Sequence, residues 1–160
     1  MTHSTEEIVT AYHEAGHAVM ALALGRPVHA VSIEPDRVRL GHCEIRKGTF
    51  RPNPDALETA ILILLGGPAA EALHQGDYCE VGARQDLREV QELAEMRAAG
   101  PKQVEKLQRR LMSKADSILS RAENWRAVER IARELLERRV ISGRSAHHLF
   151  DLETRDAEQR

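Results

Sequence analysis

The sequence predicts an α+β domain that is mainly helical, with a small N-terminal β-sheet and a C-terminal helical bundle. Three observations lead there. Apolar residues recur at helical spacing through five segments, strand-like alternation is confined to residues 28–45, and Gly or Pro punctuates the joints. The 160 residues suit one domain, and 42% hydrophobic with 30% charged residues supports a buried core and excludes disorder over most of the chain. We expect residues 1–100 to form the core, residues 101–150 a helical part of the same domain, and residues 151–160 a flexible tail.

The first helix is capped by Ser4 with Glu7 three residues on, and is stopped by Gly25 and Pro27. From Ile8 to Leu24 it becomes apolar nearly all round, the mark of a buried helix. Residues 28–34 and 38–45 read as two short strands joined at Pro35-Asp36, with Gly41 marking a bulge or a close backbone approach. Asn53-Pro54 has the chemistry to start a second helix, whose stripe runs Leu57, Ile61, Leu64, Leu65 to Leu73. Gly66-Gly67-Pro68 predicts a close helix crossing or a bend within it. A loop over 75–82 leads to a third helix, Ala83 to about Ala98, and Gly100-Pro101 separates it from two more amphipathic helices. One of these carries Val104, Leu107, Leu111, Ala115 and Ile118, the other Val128, Ile131 and Leu135, and Ser142-Gly143 begins a short final turn.

Composition narrows the function. Aromatics are 3%, too few for base-stacking or carbohydrate platforms, and the net charge is −2, divided as −6 over residues 1–100 and +4 over 101–160. That split polarises a surface and suits self-association, but it is too weak for a protein that tracks phosphates, so no nucleic-acid partner is expected. Cys43 and Cys79 form neither a disulfide framework nor a cysteine metal site, which points to a reducing, cytoplasmic setting. No membrane span is expected: Ala60–Leu65 falls far short of the roughly 20 residues needed. Ala18–Leu24 follows Glu6, Glu7 and Glu14 rather than a basic segment, unlike a signal peptide.

His13-Glu14-Ala15-Gly16-His17 is H-E-x-x-H on a predicted helix. The spacing places two imidazoles on one face a turn apart, as neighbouring corners of a tetrahedral zinc site require, and sets Glu14 within reach of a water as general base. The surrounding helix is Ala, Val, Met and Leu, where each unpaired polar group costs about 1–3 kcal/mol. A metal satisfies all three at once. A third ligand is then needed, and the candidates are His29, His42, Glu71, His74, Asp77, Glu80 and Asp86. Glu71 falls on the apolar stripe of the second helix and Asp86 at the apolar edge of the third, so spacing leaves these two even. The remaining histidines, His147-His148 included, read as surface residues.

The segments HEAGHA (13–18), LGGPAAE (65–71) and GARQDL (82–87), in this order, resemble the peptidase domain of the FtsH-type ATP-dependent zinc metalloproteases. The similarity extends weakly through Ile131–Glu137 and Ile141–Gly143. The resemblance implies a zincin-like metallopeptidase fold in which His13, His17 and Asp86 bind Zn2+, Glu14 is the base, and Glu71 orients a ligating imidazole. It also implies a peptide or unfolded-protein substrate, and the family's peptidase domains form rings.

There are departures. Pro68 stands where the family has Arg, and Val81 where it has Thr or Ser. No Walker A sequence or membrane anchor is found, and a dozen residues precede His13. We therefore expect a stand-alone peptidase acting on flexible chains without ATP-driven unfolding. The alternatives are a degenerate zinc-binding assembly module and a dedicated protease for a single partner. Val38–Ile45 reads equally as an edge for an extended substrate and as an ordinary hairpin strand, and Arg37, Arg39, Arg46, Lys47 and Arg51 as a solvated face able to select acidic residues.

Overall fold

The first helix, α1 (Thr5–Ala23), begins where Ser4 Oγ accepts the backbone N–H of Glu7 at 3.1 Å. The Glu7 carboxylate in turn accepts from the Ser4 backbone, as the capping box expects, and also pairs with Arg139 at 3.2 Å and His3 at 3.5 Å. The chain leaves the helix through Gly25 at φ 79°, a conformation glycine adopts without steric cost. The computed structural model describes residues 2–35, 41–45 and 55–158. The expected Pro35-Asp36 turn, the strand start at Val38–Leu40, the basic residues Arg37, Arg39, Arg46, Lys47 and Arg51, and the Asn53-Pro54 helix start lie, wholly or in part, outside these residues.

Three antiparallel strands follow the order β2-β1-β3, with β1 Val28–Ser32, β2 His42–Ile45 and β3 Val140–Ser142. Ser32 pairs with His42 on one side of β1 and with Val140 on the other, and the β1–β2 register shifts between Val28 and Ala30. The third strand was not anticipated. Three residues are too short to display alternation, and β3 exists because Ile141 is buried beside Val31 and Ile33.

The remaining helices are α2 (Ala56–Gln75), α3 (Glu80–Arg97), α4 (Pro101–Leu119), α5 (Ala122–Arg138) and α6 (Gly143–Glu158). The second helix runs unbroken through Gly66-Gly67-Pro68. Pro68 removes the N–H that would reach the carbonyl one turn back, but the glycines earn their place by packing. A Cβ on Gly16 would collide with Gly66 O and lie 2.5 Å from Ala70 Cβ, so α1 and α2 cross backbone to backbone. Because the helix is continuous it is far longer than the six-residue segment Ala60–Leu65. An 18-residue window has mean hydropathy 1.5, long and apolar enough to cross a membrane, yet half of it is buried in the protein core.

Packed around this crossing are Leu111, Ala115 and Leu119 of α4 and Val128, Ile131 and Leu135 of α5. The short turn expected after Ser142-Gly143 is instead a helix of 16 residues, which also takes in most of the expected tail. Ser142 Oγ caps it by accepting Ser145 N–H at 3.1 Å, Ala146 is buried, and Glu153 holds Arg126 and Arg130 of α5 at 3.1 and 2.8 Å. Its Ala146, Leu149 and Phe150 follow helical spacing, a signal outweighed in the sequence by the charged residues beyond.

Candidate metal centre

His13 and His17 lie one turn apart on α1, both 8% exposed, and face α2. Opposite them α2 presents Ile63, Gly67 and Glu71, each four residues from the next and hence one stripe of a helix. Each member has a distinct task. Glu71 Oε2 lies 2.8 Å from His13 Nδ1, and Ile63 O lies 2.7 Å from His17 Nδ1. Between them Gly67 leaves room for both rings: a Cβ there would stand 2.5 Å from His17 Nε2 and 2.6 Å from His13 Nε2.

The third helix completes the cluster. Asp86 Oδ2 is 2.9 Å from His13 Nε2 and 3.1 Å from His17 Nε2, while the two Nε2 atoms are 3.0 Å apart. Among the described residues His13, His17 and Asp86 are the group arranged to hold a metal ion. The tie between Glu71 and Asp86 is thus divided: each touches a different nitrogen of His13. Of the other candidates, His29, His74, Asp77 and Glu80 stand apart from the cluster. His29 is exposed and faces Glu44 at 3.9 Å, His74 stacks on Tyr12 at 3.8 Å, and Asp77 accepts the N–H of Tyr78 at 2.8 Å. Glu80 is exposed at the start of α3, and His42 contributes its backbone to β2. His147 and His148 are exposed on α6.

Hydrogen bonding decides what the cluster needs. A backbone carbonyl only accepts, so His17 Nδ1 carries the proton and its neutral ring has a bare Nε2. Glu71 Oε2, accepting from His13 Nδ1, imposes the same tautomer on His13. Three acceptors, two imidazole nitrogens and a carboxylate oxygen, then converge within 3.1 Å of one another, an arrangement that a metal ion relieves and that, in its absence, a proton on an imidazole relieves. Ligands of a tetrahedral ion with bonds of about 2.0–2.1 Å stand roughly 3.3 Å apart, so this triangle fits such an ion within a few tenths of an ångström. Glu71 and Ile63 O are the outer partners that fix tautomer and ring orientation.

Charge follows the same geometry. Burial alone would lower the His13 pKa, but the hydrogen bonds its ring donates to Asp86 and Glu71, with Glu14 nearby, push it up to about 10. His17 is likewise raised against its burial, chiefly by Asp86. Burial works to raise Asp86, yet His17 and His13 hold its carboxyl well below the usual carboxylate range. Beside them Glu14 is 5% exposed. The Cys43 thiol on β2 is pushed well up by burial and then by Glu14 and Glu44.

A pH dependence follows for protein stripped of metal by a chelator. The contribution of His13 is fully present below 6.5, its ordinary value, and is lost as pH rises through about 10. The contribution of Asp86 is present above 3.8 and is lost as pH falls through its lowered value. Thermal melts of the stripped protein should therefore show falling stability from pH 6.5 toward 10. A divalent ion, which needs deprotonated imidazoles, should bind more tightly over that same interval. A stripped protein whose melting temperature rises steadily from pH 6.5 to 10 would contradict this charge assignment.

The comparisons with known proteins come to the same region. The family model described as peptidase family M41 matches residues 1–100. The ATP-dependent zinc metalloprotease FtsH of Acidobacterium capsulatum is 40% identical over 97 residues, 56% of this chain and 14% of that protein. The FtsH proteins of Syntrophotalea carbinolica and Pelobacter propionicus are 39% and 36% identical over 94 residues, again 56% of this chain and 14% and 15% of theirs. The chain thus spans about a seventh of the length of these curated relatives. The matched region contains both helices of the crossing and the helix that brings Asp86, and the chain belongs to peptidase family M41.

Proposed function

We propose that this domain is a zinc-dependent metallopeptidase of the zincin type that hydrolyses peptide bonds in unfolded or flexible polypeptides. The observation that carries the reading is the convergence of His13 Nε2, His17 Nε2 and Asp86 Oδ2 at 2.9–3.1 Å, with each ring's other nitrogen already engaged. Two imidazoles and one carboxylate suit zinc, and three protein ligands with one open position is the catalytic rather than the structural pattern. The zinc named in the relatives' titles agrees with that donor set.

Zinc, when bound, supplies Lewis acidity: it polarises a peptide carbonyl and acidifies a water molecule. Glu14 receives the proton of the attacking water and passes it to the departing amine. Glu71 and Ile63 O hold the two imidazoles so that their Nε2 lone pairs face inward throughout. An extended substrate can hydrogen-bond along β2, whose edge away from β1 has no strand partner among the described residues. By itself the domain would act on segments that are already flexible, without ATP-driven unfolding.

Zinc-loaded protein incubated with fluorescein-labelled casein should release peptides, and a chelator should stop the release. Loaded protein that leaves casein and a random peptide mixture intact would favour a zinc-binding module kept for assembly, or an enzyme dedicated to one partner.

A further inference from the structure

Gly41 is buried where β2 begins, pressed between β1 and α1. A Cβ added there would meet three things at once: Ser32 O at 2.7 Å, Thr10 Cγ2 at 2.9 Å and Glu14 Cγ at 3.2 Å. Ser32 O is backbone of the central strand and cannot retreat without opening the sheet. Thr10 lies one helical turn before Glu14 on the same face of α1, and its hydroxyl donates to Glu6 O at 2.9 Å. The methylene stem of Glu14 and the Thr10 methyl, one turn apart on α1, therefore both border the bare backbone of Gly41. This packing restricts the rotamers open to the Glu14 side chain.

We propose that Gly41, with Thr10, is a positioning residue for Glu14: the absent side chain lets β2 lie directly on the glutamate stem and so aims its carboxylate. This rests on Glu14 acting as the base. A methyl at position 41 displaces the stem by some tenths of an ångström or parts β2 from α1. Misplacement of a reacting group by about 1 Å costs on the order of 10²-fold in rate. The added methyl meets none of the three converging ligand atoms first, since the three atoms nearest to it belong to Ser32, Thr10 and Glu14.

The test measures zinc content, kcat and KM on fluorescein-labelled casein for wild type, Gly41→Ala, Thr10→Ala and Glu14→Gln. Positioning predicts that Gly41→Ala keeps one zinc per chain and a KM within about threefold, while kcat falls ten- to a hundredfold. Thr10→Ala adds no bulk and so cannot misfold through a clash, and its kcat should fall threefold or more at unchanged KM. A raised KM at wild-type kcat would assign Gly41 to substrate docking and overturn the proposal. Should Gly41→Ala fail to fold, Thr10→Ala decides, and wild-type kcat there overturns the proposal as well. Glu14→Gln keeps the two readings apart: full turnover in that variant removes the base itself, whereas an inactive Glu14→Gln beside a fully active Gly41→Ala removes only the positioning.

Discussion

The Glu14→Gln variant is expected to lose turnover by about 10²–10⁴-fold while retaining its zinc, the range general acid–base catalysis contributes. The substitution is nearly isosteric, so the stem keeps its place against Gly41. The amide cannot take a proton from water at neutral pH, and that is the step assigned to the carboxylate. Metal retention follows from geometry, since the converging atoms belong to His13, His17 and Asp86. Glu14 acts on these histidines only through its charge, which favours their protonated forms. Its removal should therefore change zinc affinity little compared with the loss in rate. Elemental analysis beside a casein assay checks both halves, and a variant as active as wild type would refute the assigned base.

The Gly67→Ala variant is expected to weaken zinc binding about 10- to 100-fold, a larger effect than its single methyl suggests. That methyl would stand 2.5 and 2.6 Å from the Nε2 atoms of His17 and His13, so both must move. Neither ring can swing aside freely. His13 is tied by Nδ1 to Glu71 and His17 by Nδ1 to Ile63 O, and both anchors belong to the helix that carries the intruding methyl. The rings must either abandon those bonds or push α1 away from α2 at the crossing of Gly16 and Gly66, where no slack exists. Overpacking of this kind costs about 1–3 kcal/mol in stability besides the lost affinity. Zinc titration and thermal melts together check the prediction. Wild-type affinity in Gly67→Ala would mean that the two imidazoles do not share the ion.

What could be read from the sequence was local. H-E-x-x-H places two imidazoles on one helical face by period alone, and the structure sets His13 and His17 there with their Nε2 atoms 3.0 Å apart. LGGPAAE announced a close helix crossing, and one exists, although Pro68 did not break the helix. The choice between Glu71 and Asp86 was undecidable from spacing, because it depends on where α3 approaches α1. Both carboxylates bond the same imidazole from opposite sides, a possibility that a single-ligand question does not contain.

Two site features carry little or no residue signature. The carbonyl of Ile63 is backbone, so any residue there would supply it, and the alignment of Ile63, Gly67 and Glu71 opposite His13 and His17 emerges only when the helices pack. Gly67 appears in sequence as one of two adjacent glycines. The first, Gly66, serves the crossing with Gly16, and the second serves the metal site. Elsewhere β3 was too short to show a period, and α6 was hidden by its charged end, although Ser142 and Ser145 already spelled its cap.

The third helix is the least anchored part of the site. It buries only Ala83, Val90 and Ala94, so Asp86 is its main polar tie to the core. Asp86→Ala therefore tests the centre most directly, through metal content by elemental analysis of wild type and variant purified side by side. The expected result is about one zinc per chain in the wild type and its loss in Asp86→Ala, with a lower melting temperature because metal binding and folding share free energy. Stoichiometric, chelator-resistant zinc in Asp86→Ala would contradict the His13, His17 and Asp86 site and return the third position to Glu71.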